Sequence, residues 1–283
     1  MNLSRAIATV GGLTMVSRLL GFARDILIAR FLGAGMVADA FFVAFKFPNL
    51  FRRLFAEGAF NAAFVPIFSG LLETEGETAA RRFARQAQAL LFVVLLGLTV
   101  VMEIAMPWAM YVFAPGFAEI PGKMALATEM TRITFPYLLF ISLMSLLAGV
   151  LNGVGRFAAA AAAPVILNIV LIASLLGLSA FTETEGHALA WGVAGAGVLQ
   201  FVWLAWRAAR AGMPVTPARP RLTPRVRTLV RRILPGAVGA GVYQINLLVD
   251  TILASLVANG AVSFLYFADR VTQLPLGVVG TAV

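Results

Sequence analysis

The sequence contains no cysteine and a single histidine, which leaves little for thiol or metal chemistry. Without cysteine there is no disulfide framework, no thiolate metal site and no cysteine nucleophile. The histidine, His187, lies in an acidic loop and has no companion ligand there. A Gly-rich phosphate loop, a Ser/His/Asp set and an HExxH motif are also missing. We therefore expect a protein that is not an enzyme and has no cofactor of its own.

Charged residues are scarce as well. They make up 12% of the 283 residues, whereas 60% are hydrophobic and the mean hydropathy is +0.91. A soluble domain cannot bury that much apolar surface, so lipid must solvate part of it. The sequence therefore predicts an all-α membrane protein, a polytopic helical bundle.

About eight apolar stretches reach the roughly 20 residues that a helix needs to cross a bilayer. We predict spans near 8–32, 36–70, 87–113, 124–151, 158–180, 187–207, 233–257 and 260–283. Charges at Arg18, Arg24 and Asp25 favour an uncleaved first span over a signal peptide. The second stretch is too long for one ordinary helix, and Pro48 predicts a kink or break within it.

The basic residues are distributed unevenly between the predicted loops. The chain has 22 Lys+Arg and 13 Asp+Glu, and only Lys46 and Lys123 are lysine. Eight arginines lie in 207–232, and others follow the second and fourth spans, whereas 33–35, 115–123 and 182–185 are poor in basic charge. The positive-inside rule then predicts a cytoplasmic N-terminus. Because the basic residues lie at membrane edges or within spans, we expect membrane lipids as partners, and no nucleic acid.

An internal repeat predicts how the spans are grouped. A shift of 225 residues aligns Asp25 with Asp250 and Gly35 with Gly260, among five matches that chance could also produce. If the repeat is real, its copies insert in the same sense, as parallel transporter repeats do. We predict a six-helix lobe at 1–210, a basic cytoplasmic linker at 211–232 and the first two helices of a truncated second lobe at 233–283. The missing C-terminal half is then an expected partner.

Charges inside the predicted spans are the candidates for function. An arginine at the centre of a span costs about 2.5–3.5 kcal/mol on insertion scales, so it must face water, a carboxylate or a bound anion. Carboxylates are too few to pair with all of Arg18, Arg24, Arg52 and Arg270. Guanidinium groups bind phosphate bidentately and keep their charge when buried. We therefore predict a phosphorylated or otherwise anionic cargo. Arg18 and Asp25, seven residues apart, should share a helix face.

Other charges in the spans have structural interpretations. Lys46 is expected to extend to a membrane interface, where its ammonium group is hydrated. Arg53 and Glu57 are four residues apart and predict an ion pair along one helix, and Arg52 then has no obvious local partner. Asp39 follows the Gly-containing loop and predicts an N-terminal helix cap that faces the outer surface.

Several motifs resemble those of one transporter family. They are SRLLGFARD at 17–25, GAG at 33–35, ADAFFVAF at 38–45, PNL at 48–50, Arg52-Arg53, FAEGAF at 55–60, YFADR at 266–270 and Leu274-Pro275. Together they resemble the signature of the MurJ (MviN) lipid II flippases, most densely over 17–68. The resemblance implies a lobe of the multidrug/oligosaccharidyl-lipid/polysaccharide (MOP) exporter superfamily in the bacterial cytoplasmic (inner) membrane. The implied cargo is lipid II, the undecaprenyl-diphosphate-linked peptidoglycan precursor, moved from the inner to the outer leaflet by alternating access.

The resemblance also implies roles for individual residues. Arg18, Arg24, Asp39, Arg52 and Arg270 fall on positions that resemble functionally important charges of the family. Arg24, Arg52 and Arg270 would hold the diphosphate. Asp25 would orient these arginines, and Asp39 would act at a gate.

The energy source and two alternatives stay open at this point. Asp250 resembles a cation-site carboxylate of some members, so coupling to a monovalent cation or to the membrane potential is implied. One alternative function is export of another polyprenyl-linked glycan. Another is a non-transporting scaffold for cell-wall assembly, in which the buried arginines would contact a partner's acidic residues.

Overall fold

Helices account for nearly all of the chain in the computed structural model, which describes residues 3–52 and 58–282. The predicted all-α class is confirmed, since these residues contain no strand. Short 3-10 helices occur at Pro115–Glu119 and Ser179–Phe181. The ten α-helices among the described residues are α1 (Leu3–Leu32), α2 (Met36–Arg52), α3 (Gly58–Thr74), α4 (Gly76–Phe113), α5 (Lys123–Thr134), α6 (Tyr137–Gly153), α7 (Phe157–Gly177), α8 (Glu185–Arg210), α9 (Pro224–Val257) and α10 (Ala261–Ala282).

Four helical segments of the described chain are long and apolar enough to cross a membrane. They are α4, the continuous stretch of α5 and α6, α7, and α8. Outward-facing side chains on α4 such as Ile104 and Trp108 are about two-thirds exposed, which suits contact with lipid. The predicted number of about eight spans is not confirmed. Helix α1, which carries Arg18, Arg24 and Asp25, is not among these four segments.

Two of the predicted spans are each built from two helices. The stretch 36–70 contains α2 and α3, and Pro48 lies inside α2 without ending it. The predicted pair Arg53 and Glu57 falls in 53–57, outside the described residues. The stretch 124–151 divides between α5 and α6 at Phe135-Pro136. Proline is favoured at a helix start because the backbone N–H that it lacks would have no intrahelical partner there.

Helix α2 forms the centre of the bundle. Every residue from Ala38 to Phe45 is buried, so this helix is enclosed on all sides by α5, α6, α8 and α10. Its aromatic side chains pack across the bundle, and the ring of Phe42 stacks on that of Tyr266 with centroids 3.9 Å apart. Asp39 and Arg52 lie near opposite ends of α2, roughly 20 Å apart at 1.5 Å per residue. The central helix thereby connects two separate clusters of charge.

The two copies of the predicted repeat have the same local structure. Each is a long helix, a three-residue turn and a second helix, with turns at 33–35 and 258–260. Gly35 accepts a hydrogen bond from Asp39 N at 2.9 Å, and Gly260 accepts one from Phe264 N at 2.9 Å. We call the end of the bundle that holds both turns the turn end. The repeat therefore extends to the hydrogen bonds that start α2 and α10.

The arginine-rich segments gather at the opposite end, which we call the basic end (Arg81, Arg85, Arg156 and the arginines of 207–232). Arg81 donates to the carbonyl of Gly212 at 2.8 Å, and Arg225 pairs with Glu75 at 2.6 Å. The irregular connection covers only 211–223, so it is shorter than the predicted linker, because α9 already begins at Pro224. The division into two lobes stays a prediction.

Candidate functional site

A cavity of about 480 Å³ lies between α2, α6, α7, α9 and α10. Its wall is mixed: apolar side chains such as Val43 and Leu167 alternate with polar ones. The charged residues that line it are Arg24, Lys46, Arg52, Asp250, Asp269 and Arg270. Three of the four arginines predicted to bind cargo are therefore brought together around one space.

Arg24 is the most constrained of these arginines. It is 5% exposed, and its Nε and Nη2 donate to Asp25 Oδ1 at 3.0 and 2.7 Å. Its Nη1 donates to Asn168 Oδ1 at 2.9 Å, and Asn168 in turn donates to the carbonyl of Ser17 at 2.9 Å. The guanidinium plane is therefore held by contacts from α1 and α7. Sequence reasoning missed Asn168, since α7 is otherwise an apolar helix.

Helix α10 adds a second arginine to the same carboxylate. Arg270 Nε lies 3.4 Å from Asp25 Oδ2, and the Tyr266 hydroxyl donates to Asp25 Oδ1 at 3.3 Å. The Arg270 guanidinium also lies 4.9 Å from the centroid of the Tyr266 ring, within the range of a cation–π contact. The side chain of Arg270 is 39% exposed, so part of it faces the cavity. Asp25 thus contacts both arginines, an arrangement suited to orienting them.

The last turns of α2 supply the other two cationic groups. Arg52 Nε donates to Asn49 Oδ1 at 3.0 Å, so the expectation that Arg52 lacks a local partner was wrong. Asn49 in turn donates to the carbonyl of Phe45 at 2.7 Å, which fixes its amide. Lys46 was expected to extend to a membrane interface, but it lines the cavity instead. Its position one turn before Leu50 on the same face of α2 directs it inward.

The charges around the cavity favour an anionic ligand. Four cationic groups line it, and the three nearby carboxylates are Asp25, Asp250 and Asp269. Asp25 is already shared between Arg24 and Arg270. Low-dielectric walls strengthen the remaining positive potential, because the apolar lining excludes competing water.

Arg18 does not lie at this cavity. Arg18 and Asp25 lie on the same continuous helix, but Arg18 is exposed whereas Asp25 is buried, so the two residues do not share an environment. The reason is that α1 is packed mainly around Arg24, Asp25 and Ile28 and is open at Arg18. Helical periodicity predicts which face of a helix a residue lies on, but not how far along the helix its neighbours pack against that face. A role of Arg18 in cargo binding stays a prediction.

Asp250 lines the cavity from α9. Among the described residues, no set of three carboxylate or imidazole ligands includes it. Its assignment as a cation ligand therefore stays a prediction.

The turn end contains a second charge cluster, centred on Asp39. Asp39 is fully buried and accepts hydrogen bonds from Gly260 N at 2.7 Å and Ser263 N at 2.8 Å. Lys123 Nζ lies 2.6 Å from Asp39 Oδ2, the oxygen that also accepts from Gly260 N. Asp39 was expected to cap its own helix at the outer surface, and that was wrong. It caps α10 instead, where a carboxylate satisfies free N–H groups and the positive end of the helix dipole.

Lys123 is a buried charged residue that sequence reasoning missed. It was grouped with a loop, yet it is fully buried at the start of α5. Its Nζ also donates to Asn259 Oδ1 at 2.8 Å and lies 4.3 Å from the centroid of the Phe117 ring. Lys123 is one of only two lysines in a chain that otherwise uses arginine, and this was the available signal, because a compact ammonium group fits a small site.

The connection between α4 and α5 closes over the same region. Gly116 N lies 3.3 Å from Ser255 Oγ, and a Cβ atom on Gly116 would stand 2.1 Å from the backbone oxygen of Ser255. Only glycine allows this approach between the connection and α9. The turn end is therefore closed by contacts that join α2 and α5 to α9 and α10.

Solved structures with the same fold define the class of the chain. A multidrug resistance MATE family transporter of the MOP superfamily, in an inward-facing conformation, matches 97% of this chain and 62% of its own with a TM-score of 0.71 at 17% identity. A lipid II flippase MurJ in an inward closed conformation matches 95% of this chain and 55% of its own with a TM-score of 0.77 at 26% identity. The chain therefore has the helical fold that these two transporters share.

Sequence comparison narrows this class to one family. The family model for the lipid II flippase MurJ matches residues 28–283. A probable lipid II flippase MurJ of Rhizobium meliloti (strain 1021) is 49% identical over 290 residues, and a lipid II flippase MurJ of Burkholderia cenocepacia is 39% identical over 287. Both alignments cover 100% of this chain but 54% and 56% of the relatives. The chain belongs to the MurJ lipid II flippase family, which confirms the resemblance seen in its motifs.

Membership has two direct consequences. The family consists of transporters, not enzymes, and the chain is a multi-pass inner-membrane protein. The chain spans about half the length of the curated relatives that it matches.

Proposed function

We propose that this chain binds the diphosphate of lipid II in the cavity and takes part in moving it from the cytoplasmic to the periplasmic leaflet by alternating access. The observation that carries the proposal is the convergence of Arg24, Arg52 and Arg270 on one cavity. Diphosphate offers several anionic oxygens to such a set, and each guanidinium can donate two parallel hydrogen bonds. Relatives that are 39–49% identical are named as lipid II flippases, which supports this cargo.

The arrangement of the arginines suits binding that must also be released. Arg24 is held by Asp25 and Asn168 before any ligand arrives, so little side-chain entropy is lost on binding. Arg270 is less enclosed and shares Asp25 at a longer distance, so it is free to turn toward a phosphate. The cavity volume of about 480 Å³ lies within the usual range for ligand sites of about 300–1,000 Å³.

In this proposal the basic end faces the cytoplasm and the turn end faces the periplasm. Arg156, Arg207 and Arg210 meet around one small cavity at the basic end, as expected for the cytoplasmic side. The closed contacts at Asp39 would then form the periplasmic gate. Opening that gate requires Asp39 to leave the start of α10 and Lys123 to leave Asn259.

Coupling to a monovalent cation or to the membrane potential is part of the same proposal. Asp250 and Asp269 face the cavity that holds Lys46, so a cation bound there would change the charge that the cargo meets. The length of the relatives beyond the matched region would supply a second lobe to complete the transport path.

Binding of lipid II to the purified chain in detergent tests the site. Arg24→Ala, Arg52→Ala and Arg270→Ala should each weaken binding by about 10-fold or more, since a charged hydrogen bond contributes about 1.5–3 kcal/mol. Arg82→Ala is the matched control, because Arg82 is an exposed arginine at the basic end. Wild-type affinity in all three cavity variants would remove the basis of the proposal.

The two alternatives need different experiments. Undecaprenyl-diphosphate carrying other sugars should bind more weakly than lipid II, and equal binding would favour an exporter of another polyprenyl-linked glycan. Arg24→Cys and Arg52→Cys can be labelled with a membrane-impermeant thiol reagent, since the chain has no cysteine of its own. Labelling from the cytoplasmic side is expected. Inaccessibility from both sides would favour the non-transporting scaffold.

A further inference from the structure

Three potential metal ligands from two parts of the chain meet beside the start of α8. They are Glu129 on α5, Glu183 just before α8 and His187 in the first turn of α8. Their ligand atoms all lie within 4.8 Å of one another. None of the three lines the cargo cavity, so the cluster is a separate site.

His187 provides a second, independent observation. Its side chain is 95% buried, since only 5% of its surface is exposed, and its Nε2 atom has no hydrogen-bond partner. The same atom points at Glu129 and lies 3.6 Å from Oε1, too far for a good hydrogen bond. A buried nitrogen without a partner is costly, so native structures usually give it a ligand, a water or an ion.

The other ring nitrogen of His187, Nδ1, already has a hydrogen-bond partner. His187 Nδ1 lies 3.0 Å from the hydroxyl of Thr184, the residue that caps α8. If Nδ1 donates to this hydroxyl, Nε2 carries its lone pair toward the two carboxylates. Metal-binding histidines usually have this arrangement, in which the nitrogen away from the metal donates to a fixed acceptor.

We propose that Glu129, Glu183 and His187 bind a divalent transition-metal ion, with Zn²⁺ as the best match. One imidazole nitrogen and two carboxylates, with water in the remaining position, is an established ligand set for zinc. Calcium and magnesium favour oxygen ligands alone, so the imidazole argues against them. Both glutamates are exposed, which lets their carboxylates rotate to metal-bonding distance.

The surrounding packing holds the ligands close together before any ion binds. A Cβ atom on Gly186 would stand 2.5 Å from Met130 Cε, so the start of α8 and the middle of α5 are in tight contact. A bound ion would tie these two helices to each other. Because α5 begins at Lys123, the ion would also stabilise the helix that carries one partner of the Asp39 cluster. This proposal does not depend on which cargo the cavity binds.

Calorimetric titration of the purified chain with ZnCl₂ tests the site directly, after removal of any histidine tag. We expect one equivalent to bind and the unfolding temperature to rise. Glu129→Gln and Glu183→Gln should each weaken binding by about 10-fold or more, because each removes one of three protein ligands. Glu185→Gln is the matched control, since it removes a neighbouring charge outside the cluster. His187→Gln should abolish binding.

X-ray absorption at the zinc edge keeps the test decisive if the buried His187 variant does not fold. The chain has one histidine, so a single imidazole in the zinc shell of the wild-type protein identifies His187 as a ligand. Binding that is equal in the Glu129, Glu183 and Glu185 variants would overturn the proposal. A zinc shell without imidazole, or the absence of stoichiometric binding, would do the same.

Discussion

The cavity and the turn end both bury a carboxylate against basic groups, but they satisfy it differently. Asp39 is fully buried and accepts from Lys123, from two backbone N–H groups and from Ser263 Oγ at 2.5 Å. Asp25 is shared between Arg24 and Arg270, and Arg270 remains partly exposed. The first cluster is balanced and closed, as a shut gate requires. The cluster at the cavity has positive charge that its carboxylates do not neutralise, and it borders the cavity, as anion binding requires.

Removing one member of the closed cluster should have the largest effect. Lys123→Met would leave Asp39 buried with its charge uncompensated, and loss of one partner of a buried ion pair costs about 3–5 kcal/mol. We expect a marked fall in the unfolding temperature and greater labelling of a cysteine placed at Asn259. The double variant Asp39→Asn/Lys123→Met should recover part of the loss. A double variant no better than Lys123→Met would show that the two residues do not act as a pair.

A methyl group at Gly116 should open the same end by a different route. Gly116→Ala places a carbon against the backbone of α9, which must then move, at a cost of about 1–3 kcal/mol. Gly97→Ala is the matched control, because nothing lies within 4 Å of its added Cβ. Thermal unfolding of both variants measures the difference. Equal stabilities would mean that the connection does not close over α9.

At the cavity, the contacts of Arg24 can be changed without removing the arginine. Asn168→Asp would place a carboxylate 2.9 Å from Arg24 Nη1 and compete with a phosphate for it. We expect lipid II binding to fall by about 10-fold, in the range of one charged hydrogen bond. Asn168→Ala should lower it less, because it loosens Arg24 but leaves its charge free. The idea that Arg24 needs its charge for the cargo fails if both variants bind alike.

The exposed ion pair at the basic end should matter least. Arg225 and Glu75 approach to 2.6 Å, but both side chains are nearly half exposed. Such pairs contribute about 0–1 kcal/mol and are screened by salt. A double-mutant cycle on unfolding at low and high salt measures the coupling. A coupling as large as that of Asp39 with Lys123 would contradict the expectation that solvent exposure weakens this pair.

The hydropathy pattern predicted the helical class, and the motifs predicted the family. Charges inside the predicted spans selected Arg24, Arg52 and Arg270, which do meet at one cavity. They could not predict Lys123, because its partner Asp39 lies on another helix and no local spacing relates the two. The proximity of Glu129 to His187 was hidden for the same reason, since Glu129 comes from α5. For Arg18, the sequence predicted the helix but not the exposure of the side chain, which depends on how far neighbouring helices cover α1.

The most direct test of the account compares a diphosphate lipid with its uncharged counterpart. Affinities for undecaprenyl-diphosphate-linked disaccharide and for the same lipid without its diphosphate would be measured on the wild-type chain and on the Arg24→Ala/Arg52→Ala/Arg270→Ala variant. We predict that the wild-type chain prefers the diphosphate lipid by about 100-fold or more, as several charged hydrogen bonds should give, and that the triple variant loses this preference. An equal preference in both proteins would contradict the claim that these arginines bind the cargo.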